Sequence, residues 1–183
     1  ATPVMQAARY SDRPIYFSDV VVNAASDIHQ FLDLAGQQFG YNDPGSNSGY
    51  HLVRWHLLNQ GDADDFFGAW IATGSHQRSL QWVIDNRIDG AAIDSTVLEQ
   101  ALQEHPEWEA LIRVVTTIGP SPMPPIIAAN HLGAAIIDKL RSTLLYPDPE
   151  LQTAMAIAGV KRYEHLTARD YTVLAERYKV VTR

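Results

Sequence analysis

Short apolar runs with a two-residue period alternate along this chain with stretches of helical period, and the change from one to the other marks its elements. Pro14 introduces IYFSDVVV, in which Tyr16, Ser18, Val20 and Val22 share one side and Phe17 and Val21 the other, the pattern of a strand. Asp27, Ile28, Phe31, Leu32 and Leu34 predict a short helix or turn closing at Gly36, after which QQFGYND returns to the sheet. Asp43, Pro44 and Gly45 then make a tight turn, and Ser46 or Ser48 can cap the next helix. From Tyr50 the period lengthens: Tyr50, Val53, Leu57 and Leu58 form an apolar stripe, His51 and Arg54 fall off it toward water, and Gly61 ends the helix.

The same alternation continues. The acidic run 62–65 reads as a solvated turn, FFGAWIATG as a strand ending at Gly74, and Ser75 as the cap of a helix that buries Leu80, Val83 and Ile84 and stops at Asn86. RIDGAAID is a short buried strand, and Ser95 or Thr96 begins a helix that Pro106 interrupts. Residues 112–117 form another strand, the prolines at 120, 122, 124 and 125 make a crossing, and IIAA resumes an extended pattern. Asn130 starts a long helix with a regular Ala134, Ile137, Leu140, Leu144 stripe; shorter helices end at Gly159 and begin at Thr167. Strands alternating with helices predict an α/β fold whose sheet is parallel or mixed, with helices on both faces. Ligands of such sheets bind at the carboxyl ends of the strands, and on that rule Asp43 to Ser48, Gly74 to His76 and Asp94 to Thr96 share one edge.

Composition narrows the chemistry. A chain of 183 residues, 46% hydrophobic, can bury a sizeable core. Its formal charge of −7, without a basic run, argues against nucleic acid as a partner, and no apolar stretch is long enough to span a bilayer. Residues 1–9 show neither a signal-peptide nor a transit-peptide pattern, so any targeting sequence is removed or lies upstream. Cysteine is absent, which removes disulfides and thiol catalysis. No G-x-S-x-G elbow, P-loop or H-E-x-x-H cluster is present, so an enzyme, a metal or a cofactor has no residue set behind it. Ser46, Asn47 and Ser48, by contrast, sit where the first N–H groups of a helix look outward, a ready place for an oxyanion; the plainer alternative is an N-cap and nothing more. His76 and Asp94 carry the same alternative, each being able to cap the helix it precedes or opens. The four tryptophans, Trp55, Trp70, Trp82 and Trp108, read as packing.

Taken together, YFSDVVV (16–22), DPGSNSGY (43–50), GSH (74–76), IDGAAIDS (88–95) and PSPMPPII (120–127) resemble, in order and spacing, the phosphate and phosphonate (PhnD-like) substrate-binding proteins of ABC transporters. The resemblance implies a type II periplasmic-binding-protein fold: two α/β lobes joined by crossing strands and closing on a ligand between them. It implies residues 1–22 as the end of lobe one and the first crossing strand, 23–117 as the second lobe, and 118–183 as the return crossing, at 124–129, with the C-terminal helices of lobe one. Lobe one is then incomplete, since 1–13 holds no counterpart of the βα unit the family places before the first crossing. Carried over position by position, Ser46, Asn47, Ser48 and Gly49 would hold the oxygens of phosphate, phosphonate or a related small oxyanion. Ser75 and His76 would join them, Asp94 would face a donor on the ligand, and Tyr16 would line the cleft. Asn47 replaces the middle hydroxyl of the family's Ser-Thr-Ser turn. The implied setting is periplasmic, the implied partner a membrane permease, and the alternative a ligand-sensing input domain of the same fold.

Overall fold

The computed structural model describes residues 1–61 and 65–182, so most of the acidic run lies outside the described residues. Two compact units divide the chain: residues 1–16 with 121–174, and residues 17–120 with 175–183. The division falls inside two strands, β2 (Ile15–Asn23) and β6 (Ile112–Pro122), and it assigns the last nine residues to the second unit, where the sequence reading puts all of 118–183 with the first.

The second unit holds the site residues on a mixed sheet. Its strand order is β4-β3-β5-β2-β6, with β3 (Gln38–Tyr41), β4 (Ala69–Ala72) and β5 (Gly90–Asp94). Strand β3 runs parallel to both β4 and β5, while β2 runs antiparallel to β5. The carboxyl ends of β3, β4 and β5 therefore lie on one edge, as their sequence order predicts. Alternation along β2 feeds two apolar layers. Val20 and Val22 pack with Phe31, Phe39 and the α1 helix (Leu52–Gln60) on one face, and Val21 packs with α2 (His76–Ile84) and α3 (Ser95–Glu104) on the other. Phe39 centres the first layer, stacked on Phe67 at 4.2 Å and edge-on to Trp70 at 5.6 Å. The C-terminal residues join this unit through Arg177, whose guanidinium lies 4.6 Å over the Trp55 ring.

Three local expectations are corrected. The helix after the turn begins as a π-turn, Asn47–His51, and this wider turn rotates the buried stripe. His51 and Leu52 become buried with Val53 and Leu57, while Leu58, placed on the apolar stripe by the sequence, is exposed. Residues 124–129 form no strand; the extended segment is β6, which runs to Pro122. The long helix α4 (Ala134–Leu145), preceded by a 3-10 turn over Asn130–Leu132, buries none of its residues, so its regular stripe is not a core stripe within its own unit.

The first unit is smaller in architecture. Strands β1 (Thr2–Met5) and β7 (Val160–Glu164) pair antiparallel beside α4 and α5 (Pro149–Ile157). Tyr171 ties its segments together, donating to the Met123 carbonyl at 3.2 Å and sitting 2.8 Å from the Thr2 hydroxyl. A last helix, α6 (Thr172–Val181), carries the chain on to residues assigned to the second unit.

Phe39 is fully buried, so Phe39→Ala is expected to cost about 3–5 kcal/mol in urea denaturation. A loss below about 1 kcal/mol would contradict its place at the centre of that layer.

Candidate functional site

The turn after β3 is built from its own side chains. Asp43 Oδ1 accepts the Gly45 N–H at 2.7 Å, and the Asp43 carbonyl accepts the Ser46 N–H at 3.0 Å, which together fold the chain back at Pro44. Ser46 is extended, with φ −71° and ψ 128°, and its Oγ accepts the Gly49 N–H at 3.1 Å. Ser46 is thus the N-cap that the sequence suggests. The His51 N–H reaches back to the Ser46 carbonyl at 3.0 Å and the Leu52 N–H to that of Asn47, closing five-residue steps in place of four. Amides at the start of such a helix have no carbonyl behind them, and with Gly49 taken by the cap, that of Ser48 is a donor without an intrahelical partner.

Gly49 is required by space. A Cβ there would stand 1.8 Å from Asn42 Oδ1 and 3.1 Å from His76 Cε1, so the carboxamide of Asn42 occupies the place of a side chain. Two further contacts fix the turn laterally. The Ser18 hydroxyl, in the middle of β2, donates to the Ser48 carbonyl at 2.6 Å, and both serines are buried. The Ser48 hydroxyl lies 3.2 Å from His76 Nε2, at the first residue of α2. Ser18 is also the register partner of Asp94, so the end of β5 stands beside the same group.

Ser48, His76 and Asp94 are therefore brought together, with Ser46, Asn47 and Gly49 on the turn beside them. Ser75 is different. It is exposed and spends its hydroxyl on the Arg78 N–H at 3.1 Å, the cap of α2. The loop before it is held by Thr73, whose Oγ1 lies 2.6 Å from the Ser79 hydroxyl, and it turns at Gly74, where φ is +91°. Tyr16 is buried in β2 and belongs to the first unit, so its part in a site remains what the resemblance implies.

Electrostatics set the character of the site. Burial holds the His76 imidazole below its ordinary range, against the opposing pull of the Asp94 carboxylate. A neutral ring beside Ser48 invites comparison with a nucleophile and its base. The third member of such a set is arranged differently: Asp94 Oδ1 accepts the Thr96 N–H at 2.9 Å and its hydroxyl at 2.8 Å, and no hydrogen bond among the described residues joins it to His76. The Asp94 carboxylate therefore acts on the ring only through its charge. The arrangement suits binding, with a helix start, a hydroxyl, an imidazole and one carboxylate around a small group. Asn42 and Ser18 are absent from the sequence-derived set. A lone serine within YFSDVVV is a signal for Ser18, since a buried hydroxyl needs a partner. Nothing in the sequence singles out Asn42.

Residues 1–171 match the family model of the phosphonate periplasmic substrate-binding proteins of ABC transporters. Among solved structures, the binding-protein component of an ABC phosphonate transporter from Pseudomonas aeruginosa is similar with a TM-score of 0.86 at 20% identity, covering 99% of this chain and 61% of its own. PhnD1 from Prochlorococcus marinus, in complex with methylphosphonate, gives 0.79 at 17% identity, covering 99% and 71%. A protein from Xanthomonas citri bound to ATP gives 0.68 at 21%, covering 99% and 70%. These likenesses show the fold, and this chain spans 61% of the length of the first of them.

Two outcomes test the geometry. Gly49→Ala must displace Asn42 or the turn and is expected to destabilise the protein by about 1–3 kcal/mol, whereas Gly45→Ala, with 3.1 Å to Asp43 Oδ1, should cost much less; equal effects in thermal unfolding would refute the packing. Because folding favours the neutral His76 ring, its contribution is whole above pH 6.5 and is lost as the pH falls below that value. An NMR titration should place the His76 midpoint below 6.5, and a midpoint at or above it would contradict the burial.

Proposed function

Because the chain belongs to the family of periplasmic substrate-binding proteins of phosphonate ABC transporters, we propose that it is a non-catalytic binding protein for phosphate, a phosphonate or a related small oxyanion. The observation that carries this reading is the locked turn. Ser48 is held by Ser18 through its carbonyl and by His76 through its hydroxyl, at a helix start where its own N–H has no intrahelical partner and the helix dipole favours negative charge. No lysine or arginine is among these groups. A helix start and neutral donors can hold a small anion without a counter-cation, and such donors discriminate by geometry, since a ligand that leaves one of them buried and unpaired pays its desolvation.

Asp94 adds selectivity. Its carboxylate repels a fully ionised oxyanion and accepts a hydrogen bond from the O–H of a monohydrogen one, or faces an amine carried by the ligand. This favours phosphonates and monohydrogen phosphate over species with no proton to give. Membership of the family further supports a place in the periplasm and delivery of the ligand to a membrane permease. No helix of the described residues is long and apolar enough to cross a membrane.

Calorimetry with methylphosphonate and with inorganic phosphate tests the reading. Ser48→Ala is expected to weaken binding about tenfold to a hundredfold, as loss of a hydrogen bond to a charged group does. Ser46→Ala acts through the cap and should cost about 1 kcal/mol of stability along with affinity. Unchanged affinity in both variants, or no binding of either anion to the parent protein, would overturn the proposal.

A further inference from the structure

His51 is buried, and neither of its ring nitrogens has a hydrogen-bond partner. Such a group is costly to bury, and in a packed interior it stays only where something else over-determines its position. Two rings hold it: Tyr50 at 5.4 Å and 68°, and Tyr178 of α6 at 5.1 Å and 77°. Its main chain is committed as well, since the His51 N–H bonded to the Ser46 carbonyl closes the first π-step around Ser48. One residue therefore joins the packing of α6 to the closure of the turn.

The charge that acts on it is positive. Arg54, one turn further along α1, faces the ring electrostatically, and Arg177 lies on α6 beside Tyr178, with its guanidinium over Trp55. The other ionisable groups on the packed elements are His56 on α1, Glu176 and Lys179 on α6, and the phenols of Tyr50 and Tyr178, which are uncharged at neutral pH and below. Among the described residues no carboxylate acts on His51. An imidazolium here would be desolvated, without an acceptor and next to an arginine, so protonation can be relieved only by moving the ring out of its aromatic seat.

We propose that His51 is a positioning residue that makes the anion turn acid-sensitive: its neutral ring seats α6 and closes the Ser46–His51 step, and its protonation releases both. Burial, and then Arg54, hold its pKa below the ordinary 6.5, so its contribution is whole above that pH and is lost as the pH falls below it. The effect on the turn is independent of what binds there; its effect on affinity rests on the binding role proposed above.

The test is amide hydrogen exchange on the whole chain at pH 7 and pH 5, corrected for the intrinsic pH dependence, in the parent protein and in His51→Phe. In the parent, exchange in the peptides covering 46–57 and 172–182 is expected to speed up about tenfold or more on acidification, and His51→Phe should abolish that difference. The same fall in protection in His51→Phe would overturn the proposal. So would an NMR titration of the parent placing the His51 midpoint at or above 6.5, a reading that needs no variant to fold. Calorimetry with methylphosphonate at both pH values forms a second arm. Acid-weakened binding that His51→Phe relieves supports the link to affinity. An exchange effect without any binding at either pH leaves the acid-sensitive turn standing and sinks the anion reading.

Discussion

A hydrogen bond from the Ser18 hydroxyl to the Ser48 carbonyl, 2.6 Å long and shut away from water, is the contact on which the arrangement of this site depends. It ties a central strand to a turn thirty residues later and fixes which way the start of the following helix faces. A buried carbonyl deprived of such a partner costs about 1–3 kcal/mol, enough to select one conformation of a short turn over its neighbours. With Ser48 held from behind, its hydroxyl is left to meet His76, and the cap from Ser46 completes the turn without using that group. Ser48 also lies within the π-turn, where the side chain of Asn42 fills the space beside Gly49.

The surrounding layers serve to keep that contact in place. Val20, Val21 and Val22 of β2 are fully buried and divide between two apolar layers, so the strand that carries Ser18 cannot slide. A slip of one residue would send Ser18 into the opposite layer and the valines with it. The parallel run of β3 with β4 and β5 then brings three loop beginnings to one edge, and each loop supplies one part: the turn, His76 and Asp94. Asp94 shows how little spare chemistry there is. Its Oδ1 starts α3 through Thr96, and its effect on His76 is purely electrostatic.

Much of this is legible in the sequence, for reasons that differ by residue. The turn is readable because Asp43, Pro44, Gly45 and Ser46 each have a strong local preference, and the strands because the valines of β2 and the GAAI of β5 have nowhere to go but a buried sheet. The caps at Ser75 and Ser46 obey the same local rules. What the sequence hides is nonlocal. His51 reads as a solvent-facing position only if the helix is regular from Tyr50; the π-turn changes the angle and buries it. Asn42 matters through a shape that only the folded loop reveals. The apolar stripe of α4 is regular, yet none of its residues is fully buried although the helix lies beside β7, because periodicity reports a capacity to pack and not how far it is used.

The central claim, that a turn locked by Ser18 presents the Ser48 amide and hydroxyl beside the His76 ring to a small oxyanion, is tested most directly by amide chemical-shift mapping during a titration with methylphosphonate. The account predicts that the largest movements fall on the amides of Asn47, Ser48 and Gly49 and on the His76 ring, in one saturable step. Shifts scattered over the surface, or a saturable step centred elsewhere with these four residues unmoved, would contradict it.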